Sequence, residues 1–201
     1  MLYASYVQGA PSMLAPLTIQ YADFAAWQRN QLVGEKLEQE IRFWKGQLKD
    51  VPSLLALPTD RPRPLIQTTR GAKYHFSIPA ATAQAVIEYT QANNYTVFMG
   101  LMAALQMVLA RHAKQTDFCI GMPTAGRHYK EVESLIGFFV NGVLVRASVD
   151  EKLTWKSHLD AVKQRLMDVL SHQETPAQLI IDHLDVPRNP SYPPLAQVGF
   201  Q

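Results

Sequence analysis

The sequence predicts a layered α/β protein, with helices covering at least one face of a sheet, and two observations carry that prediction. Segments with helical apolar spacing alternate with short runs of strand character. One helical segment is apolar nearly all round and therefore needs an interior to pack in. The 201 residues, 47% of them apolar and 18% charged, are enough to enclose such a core.

Residues 18–48 read as helical. Leu37, Ile41, Trp44 and Leu48 fall on one stripe while Lys36, Glu38 and Arg42 face elsewhere, and Gly34 divides the stretch into two helices. Trp27 and Trp44 are expected in the core. Residues 51–71 contain LPTDRPRPLIQTTR, where prolines fix φ and remove backbone donors, so this stretch reads as an extended connector. Lys73–Pro79 then alternates, with Tyr74, Phe76 and Ile78 on one face, as a half-buried strand does.

Two helices follow, Thr82–Asn93 and Thr96–Ala113, with Thr82 and Thr96 as N-caps and Arg111 and His112 in the second helix's last turn, where cations suit the dipole. Asp117–Met122 and Phe139–Val149 are apolar strands. Thr154–Ser171 carries Leu159, Val162, Leu166 and Val169 at helical spacing, and Pro176–Leu184 makes a last short helix. The order from Lys73 is β-α-α-β-β-α-α. After a proline-rich turn, LAQVGFQ starts another strand at the end of the chain.

Charge and composition exclude several classes. Nineteen basic against seventeen acidic residues give a net charge of +2, far from the basic density that a phosphate backbone demands, so nucleic acid is not an expected partner. Cys119 is the single cysteine, which permits no internal disulfide and no thiolate metal site; a buried strand with no basic neighbour leaves it inert. No metal site is expected. Phe98–Ala110, the longest apolar stretch, is shorter than the roughly 18 residues a membrane span needs, so the reading is a cytoplasmic protein with no membrane segment.

Several motifs stand out. Tyr21-Ala-Asp23-Phe24-Ala-Ala-Trp27 lies on a helix, where the aromatics can pack together while Asp23 caps or pairs. Gly121-Met-Pro-Thr-Ala-Gly126-Arg127 follows a strand and is either a plain turn or an anion-holding loop through Arg127. In Ile136-Gly137-Phe-Phe139-Val140-Asn141-Gly142, the Asn-Gly pair between apolar runs is by itself a hairpin signal. Asn141 is an amide in an apolar strand; it needs partners, which either a substrate or a neighbouring segment supplies.

Five motifs in order, Tyr21-x-Asp23-Phe24-Ala-x-Trp27, Leu57-Pro-Thr-Asp-Arg-Pro-Arg-Pro64, Ile136-Gly137-x-Phe139-Val140-Asn141-x-x-x-x-Arg146, His172-Gln173-x-x-Pro176 and Arg188-x-x-Ser191-x-x-Pro194-Leu195, resemble the core motifs of nonribosomal peptide synthetase condensation domains. The resemblance runs from Leu2 to Phe200. It implies a chloramphenicol acetyltransferase-like α/β sandwich in which two halves flank a tunnel. Residues 1–50 would end the first half, 51–71 connect, and 72–201 form an incomplete second half. It also turns Phe139–Val149 into one continuous strand, although Gly142 replaces the usual threonine.

The reaction implied is formation of an amide between acyl or peptidyl and aminoacyl thioesters, both carried on the phosphopantetheine of donor and acceptor peptidyl carrier proteins, beside an adenylation domain. No tightly bound cofactor is implied. Asn141, Gly137 and Arg127 are the candidate tunnel residues; Tyr21, Asp23, Trp27, Arg146, His172, Arg188 and Ser191 are expected to be structural, Arg146 through an ion pair and His172 through the dipole and local hydrogen bonds. The family's His-His-x-x-x-Asp-Gly motif is absent, so no catalytic residue is assigned and the chain alone is expected to be inactive. Met1 before Leu-Tyr and the stop in LAQVGFQ read as the marks of a cut piece. Ala177, Gln178 and Asn189 depart from the family's phenylalanine, glutamate and aspartate. The alternative reading is a non-catalytic docking module for carrier proteins.

Overall fold

The computed structural model describes every residue except 1, 10, 12 and 13, so the reading of Met1 lies outside the described residues. The order is α1 (Leu2–Val7), α2 (Tyr21–Gln31), α3 (Gly34–Gln47), α4 (Ala80–Ala92), α5 (Val97–Ala113), β1 (Asp117–Thr124), β2 (Asn141–Ser148), α6 (Trp155–Ser171) and α7 (Ala177–His183). The short exposed α1 has no counterpart in the sequence reading.

Two side-chain N-caps form, one at the expected Thr96 and one at Thr154, which the sequence reading did not assign. The Thr96 side chain accepts from the Met99 amide at 3.1 Å, and Thr154 accepts from Ser157 at 3.2 Å. Helix α4 starts earlier than expected, with Pro79 and not Thr82 at its N-cap; proline has no N–H to lose there, and two alanines carry the first turn. Helix α5 buries Met102, Ala103, Gln106 and Leu109, but Met107 and Val108 are exposed, which corrects the expectation of burial all round.

Strands β1 and β2 pair antiparallel over eight residues, from Asp117 opposite Ser148 to Thr124 opposite Asn141. No hairpin forms at Asn141-Gly142, but β2 begins at Asn141 and ends at Ser148, so the continuous strand expected over Phe139–Val149 is shortened at both ends. Phe118, Ile120, Val143 and Val145 lie in one apolar core with Leu159, Leu166, Met102 and Trp44. The terminal LAQVGFQ makes one parallel bridge, Gly199 to Gly121: the Gly121 amide donates to Val198 O, and the Phe200 amide donates to Gly121 O, each at 2.9 Å.

Two expectations fail. Lys73–Pro79 is not in a sheet; it is exposed throughout, with Tyr74 89% and Phe76 77% exposed, because no strand lies beside it among the described residues and alternation without a ladder partner makes no sheet. Trp27 is 38% exposed, while Trp44 is buried as expected. The connector, by contrast, is pinned. Leu55 is buried, its amide donates to Gln197 Oε1 at 2.7 Å, the Ser191 hydroxyl donates to Pro64 O at 2.6 Å, and the Gln67 amide donates to Pro190 O at 2.8 Å. Among the described residues no single helix is long and apolar enough to cross a membrane; α4 and α5 together have the length, but a 112° bend separates them.

Candidate functional site

An open cleft of about 600 Å³ lies where α2, the sheet and the start of α7 meet, with Tyr21, Gly121, Phe139, Asn141, Gly142 and Ala177 in its lining. No lining residue carries a formal charge. Asn141 is the anchor of its floor. Its Nδ2 donates to the carbonyls of Gln173 and Thr175, both at 2.8 Å, and its Oδ1 accepts from the amides of Gly142 at 2.9 Å and Ala177 at 3.4 Å. The amide is fully engaged, so Asn141 both lines the cleft and ties β2 to the segment entering α7.

The wall opposite is built from α2. The Tyr21 hydroxyl donates to Phe138 O at 2.8 Å, and its ring meets Phe139 edge-on at 5.0 Å. Phe139, Leu135 and Val132 form a small second core with Ile19, Tyr21 and Phe24. Gly137 sits beneath the Tyr21 ring, where an added Cβ would lie 2.4 Å from Cδ2. Arg127 donates to the carbonyls of Val132 and Glu133 and lies 4.2 Å over the Phe139 ring. Of the three expected tunnel residues, only Asn141 therefore lines the cleft; Gly137 and Arg127 shape the loop behind it.

The remaining motif residues hold the frame. Asp23 accepts from the Gln20 amide at 2.8 Å at the start of α2, and Trp27 meets Tyr129 edge-on at 4.9 Å. Arg146 binds Asp117 in a two-pronged pair, at 2.8 and 2.7 Å, and reaches the carbonyls of Gln47 and Lys49; the bond to Asp117 raises the guanidinium's pKa further. His172 caps α6, but its decisive partner is distant. Its Nδ1 lies 3.0 Å from both Glu40 oxygens and its ring stacks on Phe43 at 3.5 Å. Arg188 pairs with Asp182 on the surface, and Asn189 accepts from the Ser191 amide at 2.8 Å.

Cys119 lies in β1 with its thiol pushed up to about 12 by burial, which keeps it protonated and unreactive. Among the described residues no group of three or more His, Cys, Asp or Glu could hold a metal. Sequence reasoning missed Gly121 and Ala177 as cleft residues and Glu40 as the partner of His172. The sequence reads Gly121 as opening a loop after a strand, whereas it lies inside β1, and Ala177 only as a departure from the family pattern; what each meets is decided by the fold.

The condensation domain family matches this chain over residues 1–201. The chain is 40% identical to a linear gramicidin synthase from Brevibacillus parabrevis, over 99% of this chain and 3% of that one. It is 34% identical to a phosphinothricin tripeptide synthetase of Streptomyces viridochromogenes, over 96% of this chain and 18% of that one. Among solved structures, the X-domain from teicoplanin biosynthesis superposes with a TM-score of 0.91 at 27% identity, covering 98% of this chain and 45% of that one. The chain belongs to the condensation domain family, with the mixed α/β fold of that family. It spans under a fifth of these two relatives and less than half of the X-domain chain.

Proposed function

We propose that this chain supplies one wall of the chamber in which a nonribosomal peptide synthetase joins two carrier-bound thioesters. The uncharged cleft floored by Asn141 and Gly142 is the observation that supports this reading. In the step it serves, the amine nitrogen of an aminoacyl thioester attacks the carbonyl carbon of an acyl or peptidyl thioester. A C–N bond forms, the C–S bond breaks, and the proton lost by the amine ends on the departing thiol.

The thioester is already activated, so most of the work is positioning, for which oriented reactants gain effective molarities of about 10⁵ M or more. Uncharged walls suit this. They neither attract a counter-ion nor protonate the amine, and they let an extended phosphopantetheine arm pass without desolvating charge. The chain's own residues hold the walls: Asn141 fixes the floor, and Tyr21 and Phe139 fix the opposite side. The proton-handling histidine motif is absent from this sequence, so in this reading the chain by itself forms no amide. Carrier proteins and an adenylation domain are its partners.

The test adds a non-hydrolysable aminoacyl-pantetheine amide to the isotope-labelled chain. Shifts of the Gly121, Gly142 and Ala177 amide resonances are expected, with no product from two loaded carrier proteins. Shifts confined to other surfaces, or amide formation by the chain alone, would overturn the reading.

A further inference from the structure

Glu40, on α3, directs both its oxygens at the segment entering α7. Its Oε2 accepts from the Thr175 hydroxyl at 2.7 Å, and both oxygens lie 3.0 Å from His172 Nδ1, which donates because a carboxylate can only accept. Three residues further along α3, Phe43 stacks on the His172 ring. Thr175 is fully buried and bonds in two directions, its hydroxyl to Glu40 and its carbonyl to Asn141 Nδ2 at the head of β2. Asn141 in turn holds the amides of Gly142 and Ala177, which line the cleft. Pro176, the residue after Thr175, lines it too, so a shift of Thr175 moves the wall directly. A continuous run of bonds therefore reaches from α3 to the cleft floor, although Glu40 itself is not in the lining.

We propose that Glu40 is a positioning residue for the cleft floor, acting through Thr175 on Asn141. This inference rests on the amide-forming reading above. Stability alone does not account for a half-buried carboxylate here, because its loss of water offsets much of what its bonds contribute, and apolar packing beside Phe43 would hold α3 to this segment as well. What the carboxylate adds is direction. It fixes the Thr175 hydroxyl, and with it the residue whose carbonyl Asn141 grips.

The experiment measures the affinity of the aminoacyl-pantetheine amide probe together with solvent exchange of the Asn141 side-chain amide protons, which report the bonds to Gln173 and Thr175. Glu40→Ala should weaken the probe about fivefold and speed the exchange of those protons. Glu40→Gln keeps an acceptor oxygen for Thr175 and should stay within about twofold of wild type. In a Thr175→Val background, which removes the hydroxyl at nearly equal shape, Glu40→Ala should have little further effect on either readout, because the two residues act through one bond. Urea unfolding confirms that each variant is folded. A Glu40→Ala variant that loses stability while its probe affinity and Asn141 protons stay at wild type would give Glu40 a purely structural role and overturn the proposal. So would an effect of Glu40→Ala that persists undiminished in the Thr175→Val background. Either result leaves the amide-forming reading standing, whereas a wild-type chain that binds no probe removes both.

Discussion

Asn141 ties β2 to the segment entering α7, its Nδ2 donating to the Thr175 carbonyl at 2.8 Å, and the same nitrogen donates to Gln173. Thr175 is fully buried, so no water replaces Asn141 easily at this point. Asn141→Ala strands several backbone groups, each costing about 1–3 kcal/mol when buried and unmade. Because Asn141 and Gln173 are half-buried, the expected total loss is about 2 kcal/mol. Asn141→Asp should cost more, since it sets a carboxylate against two carbonyls. Urea unfolding checks both, and an Asp variant as stable as wild type would refute the clamp.

Gly126 and Gly142 are predicted to respond in opposite ways to a methyl group. Gly126 has φ +64°, and an added Cβ would lie 1.9 Å from Phe139 O, against backbone that cannot yield. Gly126→Ala should lose at least about 2 kcal/mol. Gly142→Ala meets only ordinary contacts and gains up to about 1 kcal/mol from reduced backbone freedom. Paired thermal melts give the comparison; a stable Gly126→Ala variant would show that the loop is not tied to Phe139 as described.

The Arg146–Asp117 pair sits on adjoining strands, with side chains 23% and 31% exposed. Lysine cannot reproduce the fork or reach the Gln47 and Lys49 carbonyls at once, so Arg146→Lys should cost about 1–2 kcal/mol. Partial burial shields the pair, so raising salt from about 0.1 to about 1 M should recover little of the difference. A variant indistinguishable from wild type in urea would remove the pair from the frame.

His158 should make stability fall on mild acidification. It is 4% exposed, its Nε2 donates to Ala103 O at 3.3 Å, and burial lowers its pKa from 6.5, so the fold keeps it neutral. The unfolded chain binds a proton at this site more readily than the folded one. The stabilisation is therefore complete above pH 6.5 and is lost as pH falls from there through the lower folded value. His158→Gln should flatten the decline in unfolding free energy between about pH 7 and 5, a window above the ordinary carboxylate range. An unchanged slope would assign that decline to other groups.

Cys119, fully buried and held protonated, should resist iodoacetamide at about pH 8 in the native chain and react once urea unfolds it. Labelling at the rate of a free thiol under native conditions would show that β1 opens far more readily than its packing implies.

The sequence by itself determined what depends on residues within a turn or two of each other. The Thr96 cap, the stripe of Leu159, Val162 and Leu166, and the existence of the two strands were legible because side chains three or four apart on a helix, or two apart on a strand, meet whatever the rest of the chain does. The motif order was legible too, and it overrode the local hairpin signal of Asn141-Gly142: no hairpin forms there, although β2 starts only at Asn141. Tertiary structure alone decided the partners. Lys73–Pro79 alternates like a strand yet lies in no sheet, because a strand is defined by its neighbour. Trp27 is aromatic yet only partly covered, because burial depends on which surface folds over it. Glu40 finds His172, and Ala177 faces Gly142, across spans of chain that only closure of the fold brings together.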